Sequence, residues 1–157
     1  MSEIQLHYPF CVCCLVAPDI KKQRQLRTYL IRICSEVRLE ENFKKWTSAF
    51  CEGSYVKSTW KQGDRIHFLD PNGNGMYSQI TVLEPNKKMF FTHIGNLENF
   101  EELPIDENSK SWSGATENYT LISDDITTKI LVSIDCLQEY ANFYSESFPK
   151  GLAIIKA

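Results

Sequence analysis

The fold is decided by residues 46–80, WTSAFCEGSYVKSTWKQGDRIHFLDPNGNGMYSQI. Ile66 and Phe68 alternate with polar neighbours, and turn sequences stand at 62–64 (QGD) and 71–75 (PNGNG). Alternation is the period of a half-buried strand, and Asn-Gly favours tight hairpins. The stretch therefore predicts antiparallel strands at about 51–59, 64–70 and 75–84.

The same pattern continues toward the carboxyl end and closes in a helix. Further strands are predicted at about 88–95, 112–122 and 126–136, and the acidic stretch 96–110 is predicted to be a mobile loop beside the mouth of a site. In the last segment, apolar residues recur at steps of three and four, which predicts a long helix with a kink or a restart near 148, where Pro149 and Gly151 interrupt it. This helix would cover the apolar face of one curved sheet.

The amino-terminal part differs in composition. Residues 1–39 have a net charge of +3 and the remainder −6, which indicates a solvated helix face, a basic docking surface or a divergent segment. An edge strand with a bend at Pro9 is predicted over 3–16, a helix over about 19–35, and a short helical segment at 40–48 that includes Phe43 and Trp46.

Length and charge limit the function. A chain of 157 residues fits one domain, and a net charge of −3 provides no general positive field for nucleic acid. No stretch reaches the roughly 18 to 20 apolar residues of a membrane span, and the amino end does not resemble a signal peptide. The cytoplasm is the predicted compartment, without nucleic-acid or membrane partners.

The six cysteines are predicted to be reduced thiols. Cys11, Cys13 and Cys14 form a C-x-C-C cluster that could bind zinc or copper if another ligand joined them. No C-x-x-C or H-x-x-x-H pair accompanies the cluster, so apolar cysteines in a buried strand are the favoured interpretation. No metal or cofactor is predicted.

Glu117 and His93 are the polar side chains that strand parity directs inward. Glu117 shares a face with Tyr119, and His93 shares one with Phe91. An inward carboxylate is costly unless it is paired, protonated or used, so Glu117 is predicted to contact a ligand or to make a structural hydrogen bond. His93 could contact the ligand, pair with Glu117, or be an ordinary core histidine. The nucleophile elbow, P-loop and zinc-protease motifs are absent from the sequence.

Several separated segments resemble one superfamily. They are W-x-x-G-x-x-I-x-F-x-D over 60–70, MFFTHIG over 89–95, WSGATENYTL over 112–121 and FPKGL over 148–152. Together they resemble the START-like, or SRPBCC, superfamily, and within it bacterial proteins similar to the activator of the heat-shock chaperone ATPase. The resemblance covers about 42–157 and implies an α+β helix-grip fold. In that fold a curved antiparallel sheet of about seven strands wraps around a long C-terminal helix, with two short helices after the first strand.

Residues 1–41 diverge from the pattern of the superfamily, because no Val-Trp pair follows Ala17-Pro18 and Trp46 lies 28 positions after Pro18. The whole chain, 1–157, is nevertheless predicted to be a single START-like domain.

The resemblance implies a cavity between the sheet and the last helix. The predicted function is non-catalytic binding of a small hydrophobic molecule there. The candidate ligand-binding residues are Glu117, His93, Trp60, Phe68, Phe91, Trp112, Tyr119, Tyr144 and Phe148. Two alternatives stay open: a START-like enzyme of cyclase, aromatase or hydrolase type using Glu117 and His93, and a stress-response module that binds a chaperone or forms a homodimer.

Overall fold

The computed structural model describes residues 23–31, 40–123 and 128–156. The strands are β1 (Gln23–Ile31), β2 (Tyr55–Ser58), β3 (Arg65–Leu69), β4 (Gly75–Glu84), β5 (Lys88–Glu98), β6 (Glu101–Glu102), β7 (Thr116–Ser123) and β8 (Thr128–Cys136). The helices are α1 (Glu40–Thr47), α2 (Glu107–Lys110) and α3 (Ala141–Lys156), the last preceded by a 3-10 turn at Gln138–Tyr140.

All the strands belong to one antiparallel sheet. Seven follow the order β1-β8-β7-β5-β4-β3-β2, and the two-residue β6 is added to β5. Helices α1 and α3 pack against each other and share a core cluster with the sheet. The predicted class, an α+β helix-grip fold with a curved antiparallel sheet and a C-terminal helix, is confirmed.

The inner face of the sheet follows the predicted parity. On β5, Met89, Phe91 and His93 are buried, and on β8 the alternate residues Ile130, Val132 and Ile134 are buried. The side chains of Tyr144, Phe148 and Leu152 on α3 belong to the same core cluster. Burial of these apolar surfaces provides the main driving force for placing α3 on the sheet.

The helix predicted over about 19–35 is wrong. Residues Gln23–Ile31 form β1, which pairs antiparallel with β8 along its full length, from Gln23 with Cys136 to Ile31 with Thr128. The spacing of Leu26 and Leu30 favours a helix only weakly. Pairing with the edge of β8 overrides this preference, because it satisfies backbone hydrogen-bonding groups of both strands. The edge strand predicted over 3–16 lies outside the described residues.

The acidic stretch 96–110 is ordered, so the predicted mobile loop is wrong. β5 continues to Glu98, β6 folds back on it, and α2 begins after a capping box in which the Asp106 carboxylate accepts a hydrogen bond from the Ser109 backbone N–H at 2.7 Å. Strand β7 begins at Thr116, later than the predicted 112, because Trp112 and Ala115 close a turn with an N–H to carbonyl bond of 2.9 Å.

Helices α1 and α3 approach closely at Gly151. A Cβ atom at this position would lie 2.7 Å from the carbonyl oxygen of Trp46, so glycine permits the contact. Helix α3 continues through Pro149. In the part of the chain that the structure describes, no helix has both the length and the hydropathy needed to cross a membrane.

Candidate ligand-binding site

A recess lies between the sheet and helices α1 and α3. The recess encloses about 540 Å³ of empty space when the part open to solvent is included. The centres of water-sized molecules can occupy about 50 Å³ of this space. The lining residues come from α1, the segment after it, four strands and α3. They are Phe43, Trp46, Thr47, Phe50, Ser54, Tyr55, Val56, Phe68, Leu69, Met76, Glu117, Tyr119, Phe143, Tyr144 and Phe148.

The walls of the recess are mostly aromatic. The ring of Phe50 meets that of Phe148 on α3 edge to face, with centroids 4.9 Å apart. Trp46 on α1 contacts Tyr119 on β7 at a centroid distance of 6.0 Å. These distances lie in the range of favourable aromatic pairs, so the rings support one another and form a stable apolar wall.

Glu117 is the acidic group of the recess. Residues 117 and 119 share one face of β7, and the Tyr119 hydroxyl donates a short hydrogen bond to Oε1 of Glu117. The Glu117 side chain is 12% exposed. Burial raises the pKa of Glu117 to about 7, and the bond from Tyr119 opposes part of this rise.

His93 lies behind Glu117 on β5 and does not line the recess. A hydrogen bond of 2.8 Å joins its Nδ1 to the Ser78 hydroxyl, and its Nε2 is 3.7 Å from Oε2 of Glu117. Burial lowers the pKa of His93 to about 4, against an opposing effect of the Asp135 charge.

The pKa values of Glu117 and His93 determine which of the two groups carries a proton near pH 6. Near pH 6 the carboxyl of Glu117 is mostly protonated and the imidazole of His93 is neutral. The pair is therefore uncharged, which is the lower-energy state for groups withdrawn from water. Glu117 can donate a hydrogen bond to a molecule in the recess, or accept one after it ionises.

Five of the nine candidate residues line this recess: Phe68, Glu117, Tyr119, Tyr144 and Phe148. His93 and Trp112 line a second, smaller hollow beside Asp135 and Tyr140, which Tyr144 also touches. Phe91 is fully buried in the core, and Trp60 is a partly buried neighbour of Phe43, with ring centroids 5.8 Å apart. Their assigned roles stay predictions.

Sequence reasoning did not select several lining residues. Phe43, Trp46 and Phe50 follow one another at steps of three and four and bring α1 and the segment after it to the recess. This spacing was the available signal. Val56 and Met76 carry no comparable signal, because only the packing of the sheet against the helices brings them to the same space.

Two buried nitrogens have no hydrogen-bond partner among the described residues: Nε1 of Trp46 and Nε2 of His93. Trp46 is 1% exposed and lines the recess. A buried hydrogen-bond donor or acceptor without a partner costs about 1–3 kcal/mol. Each nitrogen could therefore gain from a water molecule or from a polar atom of a ligand.

No group of three or more His, Cys, Asp or Glu side chains suited to a metal ion occurs among the residues that the structure describes. Cys11, Cys13 and Cys14 lie outside those residues, so the prediction that they are apolar cysteines of a buried strand, and the metal-binding alternative to it, both stay open. Within the described part, Cys51 is a free thiol.

Comparison with known proteins identifies the fold. No family model and no curated protein matches the sequence. The solution structure of the Aha1 dimer from Colwellia psychrerythraea is similar, with 19% identity, a TM-score of 0.54, and coverage of 85% of this chain and 90% of that chain. Protein Ms6760 from Mycobacterium smegmatis has 12% identity, a TM-score of 0.57, and coverage of 88% and 91%.

A third similar structure is DynU16, from the dynemicin biosynthetic locus. It has 10% identity and a TM-score of 0.52, and the match covers 88% of this chain but 46% of that one. At these identities the similarity concerns the fold. The chain shares the fold of these structures, which is the helix-grip arrangement that the sequence resemblance implied.

Proposed function

We propose that the protein binds a small hydrophobic molecule in the recess without changing it chemically. The observation that supports this function is the aromatic recess between the sheet and the two helices, with Glu117 and Tyr119 at one place on its wall. Mostly apolar recesses with few polar groups are typical small-molecule sites. The apolar surface would provide affinity, and Glu117 would orient the molecule.

The size of the recess limits the ligand. A space of about 50 Å³ for the centres of water-sized molecules holds several such centres. A molecule with one ring would have to extend into the part of the recess that is open to solvent, and a long lipid would require side chains or α3 to move. We therefore expect a ligand with a single ring or a short branched chain.

Tryptophan fluorescence tests the proposal with benzyl alcohol as the probe. Trp46 lines the recess and Trp60 does not, so a saturable change in emission should disappear in Trp46→Phe and persist in the matched control Trp60→Phe. The absence of saturable binding to the wild type by both fluorescence and calorimetry would overturn the proposal. Native and denaturing mass spectrometry of the purified protein would then show whether it retains a molecule of its own.

The carboxyl group of Glu117 supports a second candidate function, an enzyme that carries out acid–base chemistry in the recess. A pKa of about 7 is suited to a general acid or base near neutral pH. Because His93 does not line the recess, it would position Glu117. A molecule retained in native mass spectrometry should then give a product of changed mass with the wild type, but not with Glu117→Gln. If Glu117→Gln formed the same product as the wild type, Glu117 would have no role in such a mechanism.

Chaperone binding and homodimer formation stay predictions, as does a location in the cytoplasm. The similar protein from Colwellia psychrerythraea was solved as a dimer, which supports a test of assembly in solution. Light scattering after gel filtration would contradict the homodimer if the mass stayed near 18.2 kDa at all concentrations.

A further inference from the structure

The recess contains an acid without a matching base. Among its described lining residues, Glu117 is the one carboxyl group, and lysine, arginine and histidine are absent. Burial alone raises the pKa of Glu117, and no cationic partner contributes a lowering effect. A buried carboxylate is stabilised by an adjacent positive charge. None of the described residues that line the recess provides that charge.

None of the described groups that face Glu117 carries a positive charge that could balance its carboxylate. On β7, Tyr119 donates a hydrogen bond to Oε1, and on β5, His93 is neutral with its Nε2 3.7 Å from Oε2. The titratable groups that other elements bring to the recess are the hydroxyls of Tyr55 on β2 and Tyr144 on α3. The side chains that helix α1 contributes to the recess are all uncharged. On β8, Ile134 pairs with Glu117 across the two strands.

The aromatic walls are suited to a cation. Aromatic faces attract positive charge, tryptophan does so most strongly, and the attraction is stronger where water is excluded. Trp46 and Tyr119 both line the recess, with Tyr119 hydrogen-bonded to the carboxyl group. A carboxylate beside such rings is the combination that binds ammonium groups.

We propose that the recess selects small organic amines in their protonated form, with the ammonium group at the Glu117 carboxylate and the apolar body against the aromatic walls. This inference rests on the proposed function and names its ligand class. Once Glu117 is ionised, the same reasoning disfavours carboxylates, because none of the described lining residues is a basic side chain that could balance a second negative charge.

Binding of an amine has a consequence for protons. The cation requires ionised Glu117, so below pH 7 the carboxyl group must release its proton to the solvent as the amine binds. With a Glu117 pKa of about 7, affinity for the amine should fall about tenfold from pH 8 to pH 6. The affinity for an uncharged molecule of the same shape should stay nearly constant.

Calorimetry with three matched probes tests the inference: benzylamine, benzyl alcohol and benzoate, which are a cation, a neutral molecule and an anion between pH 6 and pH 8. For wild type at pH 8, benzylamine should bind at least tenfold more tightly than benzyl alcohol, and benzoate should show no binding. At pH 6 the preference for benzylamine should largely disappear.

Glu117→Gln assigns the preference to this carboxyl group. The variant should bind benzylamine and benzyl alcohol alike at both pH values, while Glu101→Gln, which changes an exposed carboxylate on β6, should keep the wild-type pattern. Thermal unfolding would check that both variants fold.

Tyr119→Phe would give a second readout. Loss of the hydrogen bond from Tyr119 should raise the pKa of Glu117 further, so benzylamine binding should begin to weaken at a higher pH than in the wild type.

The outcomes separate the two proposals. Equal binding of benzylamine and benzyl alcohol to the wild type at pH 8 overturns the amine inference and leaves the hydrophobic site intact. Binding of benzoate also overturns the inference. If none of the three probes binds, both the inference and the proposed function fail.

Discussion

Glu117 and His93 lie side by side on β7 and β5, and burial moves their pKa values in opposite directions. The raised pKa of Glu117 stabilises the folded protein below the unfolded value of about 4.5, and this contribution is lost as the pH rises through 7. The lowered pKa of His93 gives stability above about 6.5 that is lost as the pH falls through 4. Between these limits the two effects largely cancel in the wild type.

Glu117→Gln should reveal the contribution of Glu117. As the pH rises from about 4.5 to 7, the free energy of unfolding of the variant should increase relative to wild type, by up to about 3 kcal/mol. The reason is that in this range the carboxyl group of Glu117 ionises in the unfolded wild type but stays protonated in the folded protein, whereas glutamine ionises in neither state. Urea denaturation across this pH range measures the difference. In Glu84→Gln, which removes an exposed partner of Lys88, the difference should vary little, and a similar slope in both variants would contradict the assignment.

His93→Asn should show the opposite dependence, because asparagine keeps a polar group near Ser78 and cannot be protonated. As the pH falls from about 6.5 to 4, the variant should gain stability relative to wild type, by up to about 3 kcal/mol. The same denaturation series measures it. His67→Asn removes a more exposed histidine that contacts Glu102, and no such gain is expected there. A flat difference for His93→Asn would show that His93 is not buried in its neutral form.

At the scale of elements, the contact between α1 and α3 forms one side of the recess. Trp46 from α1 and Phe148 from α3 both line it, and Gly151 lets the two helices approach. A shift of either helix would therefore change the shape of the recess as well as the packing of the core. Stability and ligand binding are coupled at this position.

Gly151→Ala tests this contact. Alanine inside a helix usually stabilises by about 0.5–1 kcal/mol relative to glycine, but here its Cβ would lie 2.7 Å from the Trp46 carbonyl oxygen. The helices must separate, so we expect a net loss of about 1–3 kcal/mol in the free energy of unfolding and weaker binding of benzyl alcohol. Lys150→Ala, at the exposed neighbouring position, should change stability by less than about 0.5 kcal/mol. Stabilisation by Gly151→Ala would contradict the close approach.

At the scale of the whole molecule, one core cluster joins the sheet with α1 and α3. Its buried members include Phe43 on α1, Phe91 on β5, Ile130 on β8 and Phe148 on α3. Because these side chains contact one another across the fold, none of these elements can bury its apolar face alone.

Unfolding should therefore be a single cooperative transition. Urea curves measured by circular dichroism, which follows the backbone, and by tryptophan fluorescence, which follows Trp46, Trp60 and Trp112, should coincide. Benzyl alcohol at saturating concentration should move both midpoints upward together. Two separate transitions would contradict the single domain predicted for residues 1–157.

The sequence predicted most of the sheet because strand signals are local. Alternating burial and Asn-Gly turns depend on neighbours along the chain, so β3, β4 and the inner residues of β8 were predicted closely. β1 was predicted as a helix, because the partner that makes it a strand, β8, is about 100 residues away along the chain. Local propensity carries no information about such a pairing.

The candidate site divides in the same way. The sequence by itself determined that Glu117 and Tyr119 share an inward face, because strand parity fixes the side of the sheet on which a residue lies. Only the tertiary structure decided that Phe43 and Phe50 complete the recess around them and that His93 does not line it. The physical reason is that a recess is the space left where separate elements pack, and the size and charge balance of that space depend on distances between residues that are far apart in the chain.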